Sequence, residues 1–242
     1  MLVRRLAISG VCSQVIALCF ATATLAQSTS LRDEPIPASE VKYRHPVLET
    51  SRFIAYLLEI PPHHATLMHR HDRDILSVFV SGAKTTATFQ GRPPVTDAIP
   101  SGESRFRAAG FTHATRNDDS IVFKSVILEF AQPQGAVRAH SDEQRYCNEG
   151  SSIACVVENQ QLCTESFCVT QIRMGPGAVR KASAAAASYA LIPVNNCELS
   201  GALDLASVHA YVSGDIRYFE AASDSWKNSG QAEAHVVLVS FR

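Results

Sequence analysis

Two histidines one residue apart, in His69-Arg70-His71, carry the strongest chemical signal in the chain. Successive side chains on a β-strand leave opposite faces, so His69 and His71 project together, about 7 Å apart along the strand. Two imidazoles so placed can both reach one metal ion. A third donor has to come from another element, and His113 stands in a segment suited to supply it, Gly102-Glu103-Ser104-Arg105-Phe106-Arg107-Ala108-Ala109-Gly110-Phe111-Thr112-His113-Ala114-Thr115-Arg116-Asn117. Three neutral imidazoles would leave the charge of a divalent ion uncompensated by protein, which favours an anionic ligand such as a carboxylate, thiolate, enolate or hydroxide. They would also leave coordination positions open, the condition for catalysis rather than structural clamping. Imidazole-rich sites suit iron, manganese, zinc, copper or nickel, and geometry rather than raw affinity selects among them. Taken singly, each histidine would read as a core or surface residue; the spacing is what argues for a metal.

The run from His69 to Gly82 resembles the first signature of the cupin superfamily, two His separated by one residue and a Gly closing the next turn. The run from Gly102 to Asn117 matches the second signature, G-x5-P-x-G-x2-H-x3-N, at every spacing, with Ala108 where Pro is usual. The resemblance implies an all-β jelly-roll barrel that holds a metal on His69, His71 and His113. Cupins usually add a Glu four or five residues after the second His, and here those positions are Ile75 and Leu76. The nearest carboxylate, Asp74, has the wrong parity for a regular strand. Only a bulge would aim it at the metal, so Asp74 reads as an ion-paired turn residue and the site as three-His. The same parity puts Ile75, Ser77 and Phe79 on the ligand face, an apolar wall with one hydroxyl. Arg105 and Arg107, just before His113, either grip a substrate's anionic group bidentately or lie on a solvated face.

The elements that must position these residues are short β-like runs: Phe53–Ile60, Asp74–Val80, Thr85–Phe89 and Ile121–Phe130. Pro61-Pro62, Ser81-Gly82, Gly91-Arg92-Pro93-Pro94, Pro100-Ser101-Gly102 and Asn117-Asp118-Asp119 punctuate them. Many short strands separated by Gly/Pro turns indicate a sandwich or barrel. The pattern then repeats. Registering Asn117 on Asn228 puts Phe130 on Phe241 without a gap, and Phe53 to Pro62 aligns with Phe167 to Pro176. The same registers place His69, His71 and His113 on Ser183, Ala185 and Asp224. The second half therefore reads as a degenerate copy without the metal donors, with Ala182 to Ala187 a small-residue loop or short helix. The expected organisation is two tandem cupin-type barrels: an extended lead-in over 27–46, a metal-binding barrel over 47–131, a Cys-containing linker over 132–160 and a degenerate barrel over 161–242.

The chain has 242 residues, 46% hydrophobic and 19% charged, enough core for one large or two small domains. Its first 26 residues read as a secretory signal: Arg4 and Arg5, an interrupted apolar run from Leu6 to Phe20, and small residues at Thr24-Leu25-Ala26. An uncleaved anchor is the alternative, against which the run is short and broken. Cleavage leaves 20 basic against 23 acidic residues, a net charge of −3, with no basic footprint for nucleic acid or an anionic membrane. Cys147, Cys155, Cys163, Cys168 and Cys197 remain; in a secreted or periplasmic protein they read as two disulfides and one thiol. A zinc knuckle is the rival, weakened by the lack of any C-x-x-C pair.

Two functions follow. By resemblance, three-His cupins include thiol dioxygenases and three-His-plus-Glu cupins include flavonol dioxygenases, so a metal-dependent oxygenase of a small anionic organic substrate is expected. The alternative is a non-catalytic bicupin that captures a small molecule. Homodimers paired through sheet edges are a further implication of the resemblance.

Overall fold

Strands whose two faces are both covered read as nearly continuous apolar runs, whereas a strand with one wet face alternates. Both kinds occur here, and they divide the molecule. The computed structural model describes residues 34–181, 188–201, 207–220 and 225–242. Residues 1–26, 182–187 and Asp224 lie outside that set, so the signal segment and the positions registered on the three histidines do too.

In the first half the strands are β1 (Ile36–Pro37), β2 (Arg44–Glu49), β3 (Phe53–Ile60), β4 (His69–His71), β5 (Ile75–Phe79), β6 (Ala83–Phe89), β7 (Val95–Ile99), β8 (Ser104–Arg107), β9 (Phe111–Asn117) and β10 (Phe123–Phe130). They form two five-stranded sheets, ordered β1-β4-β9-β6-β7 and β2-β3-β10-β5-β8. The second half holds β11 (Arg138–Cys147), β12 (Cys155–Cys163), β13 (Phe167–Met174), β14 (Val179–Arg180), β15 (Ser188–Pro193), β16 (Cys197–Gly201), β17 (Val208–Tyr211), β18 (Arg217–Glu220), β19 (Trp226–Asn228) and β20 (Ala234–Phe241). These make a six-stranded sheet β11-β12-β13-β20-β15-β18 facing a four-stranded sheet β14-β19-β16-β17. Among the described residues there is one 3-10 turn, Ala38–Glu40, and no α-helix. The fold is all-β, two jelly-roll barrels in tandem.

The barrels share a core. Phe53, Ala55, Leu76, Val78, Val126, Leu128 and Phe130 leave the first barrel on the opposite side from its interior and pack on Phe167, Val169, Ala190, Ile192, Val237, Val239 and Phe241 of the second. Phe53 stacks on Phe241 with ring centroids 5.6 Å apart. This explains why Phe123–Phe130 and Ala234–Phe241 are apolar on both faces: each lines its own barrel on one side and the shared core on the other. β6, by contrast, faces water and alternates as Ala-Lys-Thr-Thr-Ala-Thr-Phe.

The internal repeat is visible bond for bond. The amide of Asn117 donates to the carbonyls of Ile60 (3.0 Å) and Ile121 (2.7 Å), and its oxygen accepts the Asp119 N–H (3.0 Å). The amide of Asn228 donates to Met174 (2.8 Å) and Ala232 (2.8 Å), and its oxygen accepts the Gly230 N–H (3.0 Å). Thr50 and Thr164 likewise accept the N–H of Phe53 and of Phe167, each at 3.1 Å.

The lead-in and the linker differ from expectation. Residues 36–37 pair in parallel with the His strand, and Arg44–Glu49 forms the edge of the second sheet of the first barrel. The stretch 132–160 is largely a β-hairpin, β11 with the start of β12, belonging to the six-stranded sheet of the second barrel. Its sequence conceals this because β11 is an edge strand exposed along nearly its whole length, so it needs no apolar face. Disulfides Cys147–Cys155 and Cys163–Cys168 bridge β11 to β12 and β12 to β13, and Cys197 is the free thiol among the described residues.

Candidate metal centre

β4 is three residues long and alternates as the spacing requires: His69 and His71 are buried, Arg70 is exposed. β9 runs antiparallel beside it and sets His113 directly opposite His69. The three ring centroids lie 4.5 to 5.2 Å apart. One ligand nitrogen from each ring falls within 4.8 Å of the others, and Nε2 of His71 and of His113 are 3.3 Å apart. Two nitrogens each about 2.1 Å from one tetrahedral ion would sit about 3.4 Å apart, so the donors fit a shared cation. His69 donates its Nδ1–H to the Leu67 carbonyl (2.8 Å), which leaves Nε2 as the acceptor.

Burial keeps these imidazoles neutral. Desolvation, with His113 and His69 nearby, lowers His71 to about 2. Desolvation, with His69 and Arg107 nearby, lowers His113 to about 3. His69 is lowered as well, chiefly by burial. A ligand nitrogen must carry a free lone pair, so a dry pocket that resists protonation is also one prepared for a cation. Phe111 stacks on His71 and Phe89 on His113, at centroid distances of 4.7 and 5.5 Å, and these contacts fix the rings in place.

The histidines open into a cavity of about 190 Å³ inside the first barrel. Ile75, Ser77 and Phe79 line it, as do Leu58, Ile127 and the hydroxyls of Thr66, Thr85 and Ser125. Asp74 does not. Its carboxylate accepts the N–H groups of Ala109 and Gln134, both at 2.8 Å, and its own carbonyl accepts from Phe130. From the segment between the His strand and β5 it ties down the turn before His113. Among the described residues it belongs neither to the three-His group nor, contrary to the sequence expectation, to an ion pair.

Arg105 lines the cavity, with its guanidinium engaged by Glu103 and by Asp97 (2.6 Å). Arg107 stacks over Phe89 at 4.6 Å on the rim and has no carboxylate partner among the described residues. Arg44 is a further wall residue that the sequence does not reveal. It is 5% exposed, lies 3.7 Å over the Tyr56 ring and holds Glu129 at 2.6 Å, while its Nε and Nη1 have no hydrogen-bond partner among the described residues. Burial lowers its pKa against the pull of Glu129. Nothing in a Pro-rich polar lead-in marks one Arg as interior. His63, at φ 61°, and His64 sit exposed on the Pro61-Pro62 turn, away from the cavity.

No family model matches this sequence, and no curated protein sequence matches it. Solved structures do. AerE from Microcystis aeruginosa is 11% identical, with a TM-score of 0.56 over 84% of this chain and 98% of its own. A putative glyoxylate-induced protein from Pseudomonas aeruginosa is 14% identical, with a TM-score of 0.56 over 79% of this chain and 75% of its own. Salicylate 1,2-dioxygenase from Pseudaminobacter salicylatoxidans is 11% identical, with a TM-score of 0.53 over 85% and 78%. At such identities the likeness is one of fold, and that fold is the cupin fold, with two barrels in one chain.

Proposed function

We propose that the first barrel holds a divalent transition metal on His69, His71 and His113 and presents it to a small anionic organic substrate, which it oxygenates. The observation that carries this reading is the convergence of three neutral imidazole donors, a group that includes no carboxylate, in a largely apolar cavity of about 190 Å³. Iron, manganese, zinc, copper or nickel would suit the donors, and the ion would supply Lewis acidity and open positions for substrate. The protein's part is to bind and exclude water. Leu58, Ile75 and Ile127 enclose the apolar body of the substrate, while the Arg107 and Arg44 cations on the wall favour its negative charge. Ser77, Phe79 and Arg105 complete the binding surface. The structural relatives include a salicylate dioxygenase, also solved with gentisate, whose substrates are of this general size and charge.

The protein should bind about one transition-metal ion per chain. His71→Ala or His113→Ala should reduce that at least tenfold, as elemental analysis would read. Oxygen uptake should appear with one of a panel of small thiols, diketones, flavonols, salicylate and gentisate. Tight binding without uptake across the panel would transfer the reading to a non-catalytic binding protein. We also read residues 1–26 as a signal and the protein as secreted or periplasmic, which two disulfides suit. An exported product whose N-terminus is Gln27 is the expected result of N-terminal sequencing.

A further inference from the structure

The second barrel touches the first at a place more specific than their shared apolar core. The turn joining β7 to β8, Pro100-Ser101-Gly102-Glu103, lies on three polar side chains of the second barrel. Gln161 donates its amide N–H to the Gly102 carbonyl (2.8 Å). Gln171 donates to the Ser101 carbonyl (3.3 Å) and to Nε2 of His235 (2.8 Å). The approach is so close that a Cβ on Gly102, whose φ is +81°, would stand 2.3 Å from the Gln171 amide nitrogen and 2.4 Å from the His235 ring. Burial lowers His235 to about 4, so its ring is neutral at pH 7, and because the Gln171 amide nitrogen can only donate, His235 Nε2 is the acceptor. Glutamines and a histidine at the edge of an otherwise apolar interface cost desolvation free energy unless their hydrogen bonds are made. Here each glutamine amide donates one to the backbone of the other barrel, and His235 accepts from Gln171; Gln161 Oε1 has no partner among the described residues.

The far side of the same turn is the cavity wall. Gly102 donates its N–H to the Phe79 carbonyl (2.6 Å), and Phe79 donates its own to the Glu103 carbonyl (2.9 Å). The Glu103 carboxylate holds Nε of Arg105, and Asp97 holds its Nη2. Phe79 and Arg105 both face the cavity, the guanidinium 5.6 Å from the Phe79 ring centroid. Only the turn itself separates the second barrel's amides from the pocket lining.

We propose that Gln161 and Gln171, with His235 behind them, are positioning residues for the cavity of the first barrel: they hold the 100–103 turn, and through it they place Arg105 and Phe79. The second barrel would then serve the site as its jig. The inference takes from the proposed function only that this cavity is the ligand site.

The test uses the full chain labelled with 15N-arginine, free of metal and substrate, so failure of the metal reading would leave it standing. The Nε–H signal of Arg105 is identified by its loss in Arg105→Lys, and that of Arg44 by its loss in Arg44→Lys. In Gln161→Ala/Gln171→Ala, solvent exchange of the Arg105 Nε–H should accelerate at least tenfold and its chemical shift move, while the Arg44 signal stays unchanged. Gly102→Ala should do the same by forcing the turn off its seat. If the double variant does not fold, Gln161→Leu alone is read in the same way. An unchanged Arg105 signal, or Arg105 and Arg44 loosening together as in a general loss of stability, overturns the proposal.

Discussion

The two barrels are built on one frame and filled differently. Their asparagine brackets and threonine turns coincide, so equivalent positions can be read from the strand registers. Thr85 pairs with Asn117 where Leu199 pairs with Asn228. Ser125 pairs with Leu58 where Val236 pairs with Ile172. Ser77 pairs with Ile127 where Leu191 pairs with Leu238. Two residues before each asparagine stand Thr115 and Trp226. At four interior positions, then, the first barrel has a small hydroxyl and the second a larger apolar side chain. The second interior is packed by Trp226, Tyr189, Tyr211, Leu191, Leu199 and Met174. Both also carry an Arg–Glu pair, open in Arg44–Glu129, where two guanidinium nitrogens lack partners among the described residues. In the other, Arg180–Glu158 (3.2 Å), Glu158 also accepts from the Tyr146 hydroxyl. The frame is specified by buried backbone-directed hydrogen bonds, and the pocket by side-chain volume. The two can therefore vary independently.

The largest break in this comparison should come from Trp226→Ala, which empties the second barrel. Removing a fully buried Trp costs about 3–5 kcal/mol, and the denaturation midpoint should fall accordingly. Metal content should not change, because volume alone supplies no donors. A loss below about 1 kcal/mol would mean that the second interior is not close-packed.

Next come the brackets. Asn117→Ala and Asn228→Ala each leave buried backbone carbonyls without a donor, at about 1–3 kcal/mol per group. The two variants should therefore lose similar stability, about 3 kcal/mol, although only the first barrel holds a three-His group among the described residues. Urea titration of both would show it, and one neutral variant would end the claim of a common frame.

The third is pH. His235 is held neutral, its pKa depressed to about 4 mainly by desolvation and then by Arg173. A group with a lowered histidine pKa contributes fully above the unfolded value near 6.5, and that contribution is lost as pH falls toward 4. His235→Gln should therefore flatten the fall in stability between pH 6.5 and 4, by about 2 kcal/mol at the acid end. Thermal melts across that range are the measurement, and identical slopes for both proteins would refute it.

How much of this was legible beforehand depends on what each feature needs. The His strand, Asp74's wrong parity, the Ile75/Ser77/Phe79 face and the Asn117–Asn228 register all follow from period-two alternation and fixed spacings. Such features are local, and local patterns survive in a sequence. Arg44 was not legible, because its burial is decided by Tyr56 and Glu129, which reach it only through the pairing of β2, β3 and β10. Strand β11, Arg-Ala-His-Ser-Asp-Glu-Gln-Arg-Tyr-Cys, was not legible either, since an exposed edge needs no apolar face. The seat of Gly102 on Gln171 and His235 depends on which outer faces meet, and no alternation within one strand encodes that.

The smallest stability effect, and the sharpest use of the comparison, is to move the second barrel's residues into the first. Ser77→Leu and Ser125→Val replace hydroxyls by the side chains found at the equivalent positions, and both point into empty volume rather than close-packed core. Overpacking of a full core would cost about 1–3 kcal/mol. Filling a cavity instead should leave stability within about 1 kcal/mol of the parent or raise it slightly. His69, His71 and His113 are untouched, so metal content should stay near one per chain. Azide binding to the cobalt-loaded protein, followed by visible absorption, should nevertheless weaken at least tenfold, because the space beside the cation is gone. If azide binds the double variant as tightly as the parent, the interior hydroxyls do not define the pocket, and the difference between the barrels lies in the histidines alone.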